Sequence, residues 1–220
     1  LAAGVAAFRA EVDLPGPGSV LGVSARPEGG DEAWIGYTDF TTPPRVYRHR
    51  VGSGAVDLWM DAPGQVELRA GEPFVRLRMV VDNPCRDHRV RLHLPLARAA
   101  TTSAAEGQFA VVERGLAAEG GHGEVPLATF PARGFVDAGG AAVLLDHVLE
   151  YELLADPPEL ALTLLRAVGQ ISRNANRYRE EPAGPEVATP AAQGLGPWAV
   201  GLAVYPHAGP WHADGVLEQA

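Results

Sequence analysis

Residues 74–81 alternate without a break: Val75, Leu77, Met79 and Val81 fall on one side of an extended chain, and Phe74, Arg76, Arg78 and Val80 on the other. Successive side chains of a strand point to opposite faces, so a period of two describes a strand with one face in a core and one face that carries arginine. Residues 65–69 alternate as well, and Ala70-Gly71-Glu72-Pro73 supplies the turn between the two runs, which predicts an antiparallel hairpin. Pro84 has no N–H for a ladder, so Asp82-Asn83-Pro84 ends the second strand. Beyond it, Val90, Leu92 and Leu94 oppose Arg89, Arg91 and His93. That pattern predicts a third strand, expected beside the second in a meander.

The same grammar recurs downstream. Short β-compatible runs at 109–113, 141–145, 149–154, 160–165 and 198–205 are separated by clusters of Gly, Pro, Asp or Asn. This spacing predicts an all-β, antiparallel sandwich with little helix rather than alternating β and α units. The 26 glycines and 19 prolines fit a chain that turns this often. Residues 1–10 and 160–166 also suit a helix, because a short apolar run does not arbitrate by periodicity. Residues 115–123 and 177–193 read as loops. Neither a repeat of fixed period nor a linker divides the sequence, so residues 1–220 read as a single domain in which 1–50 are the least determined.

Charge and cysteine narrow the setting. The chain carries 18 basic residues, all of them arginine, against 27 acidic ones, for a net charge of -9. Counterion release on a polyanion needs a basic face, so nucleic acid and anionic membranes are not expected partners. The single cysteine, Cys85, cannot form an intrachain disulfide, and a reducing, cytoplasmic compartment is expected. Residues 1–10 lack a basic leading segment and are interrupted by Arg9, and no run approaches the ~18 apolar residues of a membrane span.

The common catalytic signatures are missing. Gly16-Pro17-Gly18 has Leu21 where a dinucleotide-binding loop requires its third glycine, and a chain without lysine has no Walker sequence. There is no Gly-x-Ser-x-Gly elbow and no His-Glu-x-x-His helix. His49, His88, His93, His122, His147, His207 and His212 show no spacing that brings three ligands together, so they read as solvated or structural and no metal ligand is assigned. Glu150 and Glu152 share one strand face and read as a solvated face before an acid/base pair. Trp34, Trp59, Trp198 and Trp211 offer either a sugar-stacking platform or core, and core is the commoner fate of a sandwich aromatic. In residues 86–91, arginine can grip a carboxylate or a sugar hydroxyl while Asp87 ties down a neighbouring arginine; an internal ion-pair network fits the same residues.

Four blocks, in order, resemble a known family. They are Val81-Asp82-Asn83-Pro84-Cys85-Arg86-Asp87-His88-Arg89-Val90-Arg91; then Phe130-Pro131 with Phe135-Val136-Asp137, Ala142-Val143-Leu144-Leu145-Asp146 and Leu149-Glu150-Tyr151-Glu152-Leu153. The third is Leu160-Ala161-Leu162-Thr163-Leu164-Leu165-Arg166-Ala167-Val168-Gly169-Gln170-Ile171-Ser172-Arg173, and the fourth runs from Gly184-Pro185 through Thr189-Pro190-Ala191-Ala192-Gln193-Gly194-Leu195-Gly196 to Tyr205-Pro206-His207. Together they resemble the C-terminal β-domain of glycoside hydrolase family 38, the zinc-dependent α-mannosidases, in its bacterial branch.

The resemblance implies a supersandwich of the galactose-mutarotase-like type, cut from a longer retaining enzyme that hydrolyses terminal α-mannosides. The family's zinc ligands and nucleophilic aspartate belong to an N-terminal catalytic domain, so the resemblance carries no catalytic residue, no metal ligand and no cofactor onto this chain. Its expected partners are that catalytic domain, in the same polypeptide, and the α-mannoside; a homo-oligomer is also compatible. By position in the blocks, Arg166, Arg173 and Asn174, and then Arg86, Asp87, His88 and Arg89, are candidates for the substrate cleft or the interdomain contact, or else for bracing the sandwich. Residues 1–50 match no block, and Ala167 stands where the family often has Ser. The alternative readings are an independent carbohydrate-binding module and a purely structural or oligomerisation sandwich.

Overall fold

The structure is a computed structural model that describes residues 12–25, 29–39, 45–61, 64–121, 123–146, 148 and 150–220. The expectations for residues 1–10, His122, His147 and Leu149 lie outside the described residues. The chain divides into two compact units, Leu1–Pro63 and Gly64–Ala220.

The first unit is an antiparallel sheet of β1 (Ser19–Ala25), β2 (Glu32–Thr38), β3 (Arg45–Arg50) and β4 (Val56–Asp61), paired in chain order. Its pattern is again a period of two. Ile35 and Tyr37 on β2 are buried with Tyr47 and His49 on β3, and Ile35 sits directly opposite Tyr47 in the register. The Tyr37 and Tyr47 rings meet edge to face at 5.9 Å. On the other side Arg48 reaches Glu32 and Asp57, each at 3.4 Å, and Arg50 reaches Asp57 at 2.7 Å. Exposed pairs of this kind contribute about 0–1 kcal/mol each, so the tyrosine face is what holds the sheet.

The second unit contains β5 (Gly64–Glu67), β6 (Val75–Asn83), β7 (Arg89–Pro95), β8 (Thr102–Glu106), β9 (Val111–Gly115), β10 (Thr129–Pro131), β11 (Phe135–Ala138), β12 (Ala141–Asp146), β13 (Glu150–Ala155), β14 (Pro158–Arg166) and β15 (Gly196–Pro206). A seven-stranded sheet, ordered β5-β6-β15-β12-β11-β8-β9, packs against a four-stranded sheet, ordered β10-β13-β14-β7. All pairings are antiparallel, as the sequence predicts. The hairpin of β5 and β6 forms with Val66 opposite Leu77.

The expected meander does not form. β7 pairs with β14, with Leu92 opposite Leu162, and so belongs to the other sheet from β6. The ladder-breaking Pro84 lets the chain cross between layers there, and the apolar sides of β6 and β7 then pack into one core, Leu77 and Met79 from one sheet and Leu92 and Leu94 from the other. That core joins Val136, Val143, Val200 and Leu202 to Tyr151, Leu153, Leu160, Leu162 and Leu164. Each large apolar side chain buried here stabilises the fold by ~1.5–3 kcal/mol. Tyr151 meets the hydroxyl of Ser103 across the two layers at 2.9 Å, and burial pushes its phenol above the usual range.

The segment that also suited a helix is the strand β14, and residues 160–165 are buried on both faces. Burial on both sides erases the alternation that would have marked it as a strand. Its outer side is covered by a polar ladder in which Arg91 pairs with Glu152, His93 with Glu159 at 2.7 Å, and Arg89 and Arg166 with Glu150 at 3.6 and 3.1 Å. On the far face of the seven-stranded sheet, Phe74, Phe135, Ala142, Leu144 and Ala203 are buried with Val216, and Trp211 packs against them. Val216 opens the one-turn helix α1 (Val216–Gln219) of the C-terminal segment.

Candidate functional site

At one end of the sandwich three of the four sequence blocks converge. The β6–β7 turn, residues 84–88, lies against the segment leaving β14, because Ala167 N–H donates to the His88 carbonyl at 2.8 Å. That segment lies in turn against residues 187–192: Val168 N–H donates to Ala192 at 3.1 Å, Thr189 N–H to Gly169 at 2.9 Å, and Ile171 N–H to Val187 at 3.0 Å.

Gln193 fixes the junction. Only 3% of its surface is exposed, and it closes a reciprocal pair with Asp87. Its Oε1 accepts from Asp87 N–H at 2.8 Å, and its Nε2 donates to Asp87 Oδ1 at 2.8 Å. Buried Asn83 donates through Nδ2 to the carbonyls of Gln193 and Gly194, both at 2.9 Å, while its Oδ1 accepts from Cys85 N–H at 3.1 Å. Asp87 takes a φ of 54°, in the left-handed region that Asp tolerates better than most residues. Gly169 lies tight against the pair, since a Cβ there would lie 2.5 Å from Gln193 Nε2 and 3.1 Å from Asp87 Oδ1 and one of them would have to shift.

These residues border a cleft of about 650 Å³ lined by Asp87, Gly169, Gln170, Arg173, Asn176 and Arg179 among others. Arg173 Nε donates to Gln170 Oε1 at 3.2 Å, and Arg179 donates to Ser172 Oγ at 3.2 Å. An adjoining cleft of about 590 Å³ contains Asn174 and shares Asn176 and Arg179.

The seven sequence candidates therefore separate. Asp87 and Arg173 line the first cleft, and Asn174 lines the second while its N–H donates to Glu186 at 2.7 Å. Arg89 and Arg166 are committed to Glu150 on the outer ladder. Arg86 is exposed in the turn. His88 is half-buried, and burial holds its imidazole below the ordinary value, against the opposing pull of its hydrogen bond with the Arg86 backbone and the charge of Asp87. Residue chemistry had not picked out Gln193, Asn83, Asn176 or Arg179 as site residues, although the Gln193-Gly194 and Asn83-Pro84 pairs mark where local backbone bonds end.

The tryptophans form no common platform. Trp34 and Trp59 meet edge to face at 6.1 Å in the first unit, Trp198 donates to the Gly194 carbonyl at 2.7 Å, and Trp211 packs on Phe135 at 5.6 Å. Glu150 and Glu152 both face arginines. Among the described residues, no group of three or more His, Cys, Asp or Glu is placed to hold a metal ion, and no helix is long and apolar enough to cross a membrane.

No protein-family model and no curated protein matches this chain. Solved structures do. A protein in glycosyl hydrolase family 38 from Enterococcus faecalis superposes with a TM-score of 0.57 at 20% identity, over 82% of this chain and 18% of that one. An α-mannosidase from Enterococcus faecalis V583 superposes with a TM-score of 0.59 at 19% identity, over 86% of this chain and 22% of that one. At such identities the likeness establishes the fold alone: this chain has the all-β architecture of a segment of each of these two structures and spans about a fifth of their length.

Proposed function

We propose that this chain is a non-catalytic β-domain of a retaining, zinc-dependent α-mannosidase, which packs on the catalytic domain of the same polypeptide and lends loops to the wall of the substrate cleft. The observation that carries the reading is the convergence of three resemblance blocks on one loop cluster, in a chain whose fold matches about a fifth of a family 38 glycosyl hydrolase and of an α-mannosidase. Blocks that served only the core would be spread along the sheets. Instead their polar members Asn83, Asp87 and Gln193 are spent on fixing loops around an open cleft.

Zinc, which the family implies for the whole enzyme, finds no ligand set among the described residues, and it belongs in this reading to the catalytic domain. A cytoplasmic, bacterial setting accompanies the proposal. The test is hydrolysis of 4-nitrophenyl α-mannoside by this chain alone, with and without added zinc. No turnover is expected in either condition, and turnover that purifies with the chain would overturn the assignment of a non-catalytic role.

A further inference from the structure

The β8–β9 hairpin holds an aromatic ring in water. Its cross-strand pairs run from Thr102 opposite Gly115 to Glu106 opposite Val111, and Gly107 N–H closes the turn on the Ala110 carbonyl at 2.8 Å. The base of the hairpin is fixed as well: Arg133 N–H donates to the Glu106 carbonyl at 2.9 Å, β8 pairs with β11, and Arg114 on β9 lies over the Phe130 ring at 4.9 Å. On this fixed turn Phe109 is 99% exposed. β9 is also an end strand of its sheet, and its Val112 and the following Leu116 are exposed. We propose that this hairpin is the element by which the chain docks on the catalytic domain of the same polypeptide, with Phe109 inserted into an apolar socket there and the free edge of β9 covered; this rests on the reading of the chain as one domain of a longer enzyme.

A scattered exposed Val or Leu needs no explanation. A phenyl ring at the apex of a hairpin does, because turns are served by Gly, Asn, Asp, Ser and Pro, and neither this turn nor the core makes use of the ring. The strand edge is a second sign: it presents unpaired backbone groups that folded proteins cover or guard, and β9 adds apolar Val112 to it. Inserting the ring removes about 150–250 Å² from water, in the manner of the aromatic anchors on which interfaces concentrate their affinity. The fixed turn leaves little freedom to lose on docking. Two observations favour the rest of the polypeptide over a second copy as the occupant. The matched segment is only 18% and 22% of the two superposed structures, so in them a domain of this fold is accompanied by far more chain than it contains. A second copy would bring another net charge of -9, and the clefts of this chain are bordered by charged residues, Asp87, Arg173 and Arg179 in one and Arg76, Arg78 and Asp146 in another, which suit no phenyl ring.

The experiment compares amide hydrogen exchange over residues 107–116 in this chain alone and in the whole polypeptide of which the reading makes it a part, each with Phe109 and with Phe109→Ser. Exchange is expected to be about tenfold or more slower in the whole polypeptide, and Phe109→Ser is expected to remove most of that slowing while leaving the thermal midpoint of this chain alone unchanged. Exchange in β13 and β14 reports on the fold and should be the same in both variants. Equal exchange in the chain and in the whole polypeptide would overturn docking through this hairpin, and slowing that persists in Phe109→Ser would overturn the anchoring role of the ring. Sedimentation of this chain alone, over a range of concentrations, is expected to be the same with and without the substitution; a dimer that Phe109→Ser dissolves would put a second copy in the place of the catalytic domain and overturn the proposal. Hydrolysis of 4-nitrophenyl α-mannoside is read on the same whole polypeptide. Its absence would overturn the reading as an α-mannosidase, whereas the exchange result bears on the hairpin alone.

Discussion

His207 and Asp137 are joined by a hydrogen bond between Nε2 and Oδ2 beneath the C-terminal segment, while His207 Nδ1 faces the carbonyl of Gly209 at 2.9 Å. A carbonyl only accepts, so the contact with Gly209 calls for the tautomer with its proton on Nδ1. The two side chains are 3% and 14% exposed. Burial pushes the Asp137 carboxyl above its ordinary value, and the bond to His207 opposes that rise. Asp214 completes the link by accepting from Ala208 and Gly209 N–H at 3.1 and 2.6 Å. The pair thus pins the segment whose Trp211 and Val216 cover Phe135.

Removing one partner strands the other in a buried place. His207→Ala is expected to cost ~3 kcal/mol of stability by denaturant unfolding, the size typical of a broken buried pair. Amide exchange over residues 209–217 should quicken more than exchange in β13 and β14. Stability unchanged within error would mean that the pair holds nothing.

His88 gives the expected pH dependence. Burial lowers its folded value, whereas the unfolded chain takes up the proton near 6.5. Below that value the unfolded state binds more protons, so stability is present above 6.5 and is lost as pH falls through the lowered folded value. Thermal midpoints measured from neutral to mildly acid pH should therefore fall, and His88→Gln should flatten this part of the slope. An identical slope in the variant would count against a neutral, half-buried His88.

Gly169→Ala tests the loop junction. Its Cβ would press on Gln193 Nε2 at 2.5 Å, so the Asp87–Gln193 pair must shift. The expected cost is ~1–3 kcal/mol, in the range of overpacking at a tight site. Crucially, the shifts in the amide spectrum should centre on Asp87, Cys85 and Gln193 rather than on the sheets.

Arg166→Ala and Arg173→Ala separate two arginines that stand in one sequence block. Arg166 is 65% exposed and paired with Glu150 on the outer ladder, so its loss should move stability by less than ~1 kcal/mol and leave sugar binding unchanged. Loss of Arg173, on the cleft wall, should weaken sugar binding with little effect on stability. The opposite ranking would put the cleft in the wrong place.

How far the sequence reached depends on whether a signal was local. The β5–β6 hairpin was legible because alternation and a turn sequence lie side by side. The partner of β7 was not, since Val90, Leu92 and Leu94 specify an inward face but not which strand lies alongside. β14 remained ambiguous because both of its faces are buried. The sheet of β1 to β4 matched no block, although Ile35, Tyr37, Tyr47 and His49 keep the same period of two. Of the candidate residues, the sequence order gave no means of knowing that Arg166 faces Glu150 while Arg173, seven positions on, borders a cleft. Gln193 and Asp87 are 106 positions apart, and only the closed sandwich brings them into contact.

The role proposed above, as one part of an α-mannosidase, makes a direct demand on this chain. Its most direct test is to mix the chain with the separately expressed catalytic domain of the same polypeptide, with zinc present, and to follow complex formation by gel filtration together with α-mannoside hydrolysis. An equimolar complex more active than the catalytic domain alone, with no turnover by this chain by itself, is the expected result. A catalytic domain fully active without this chain and indifferent to its addition would contradict it.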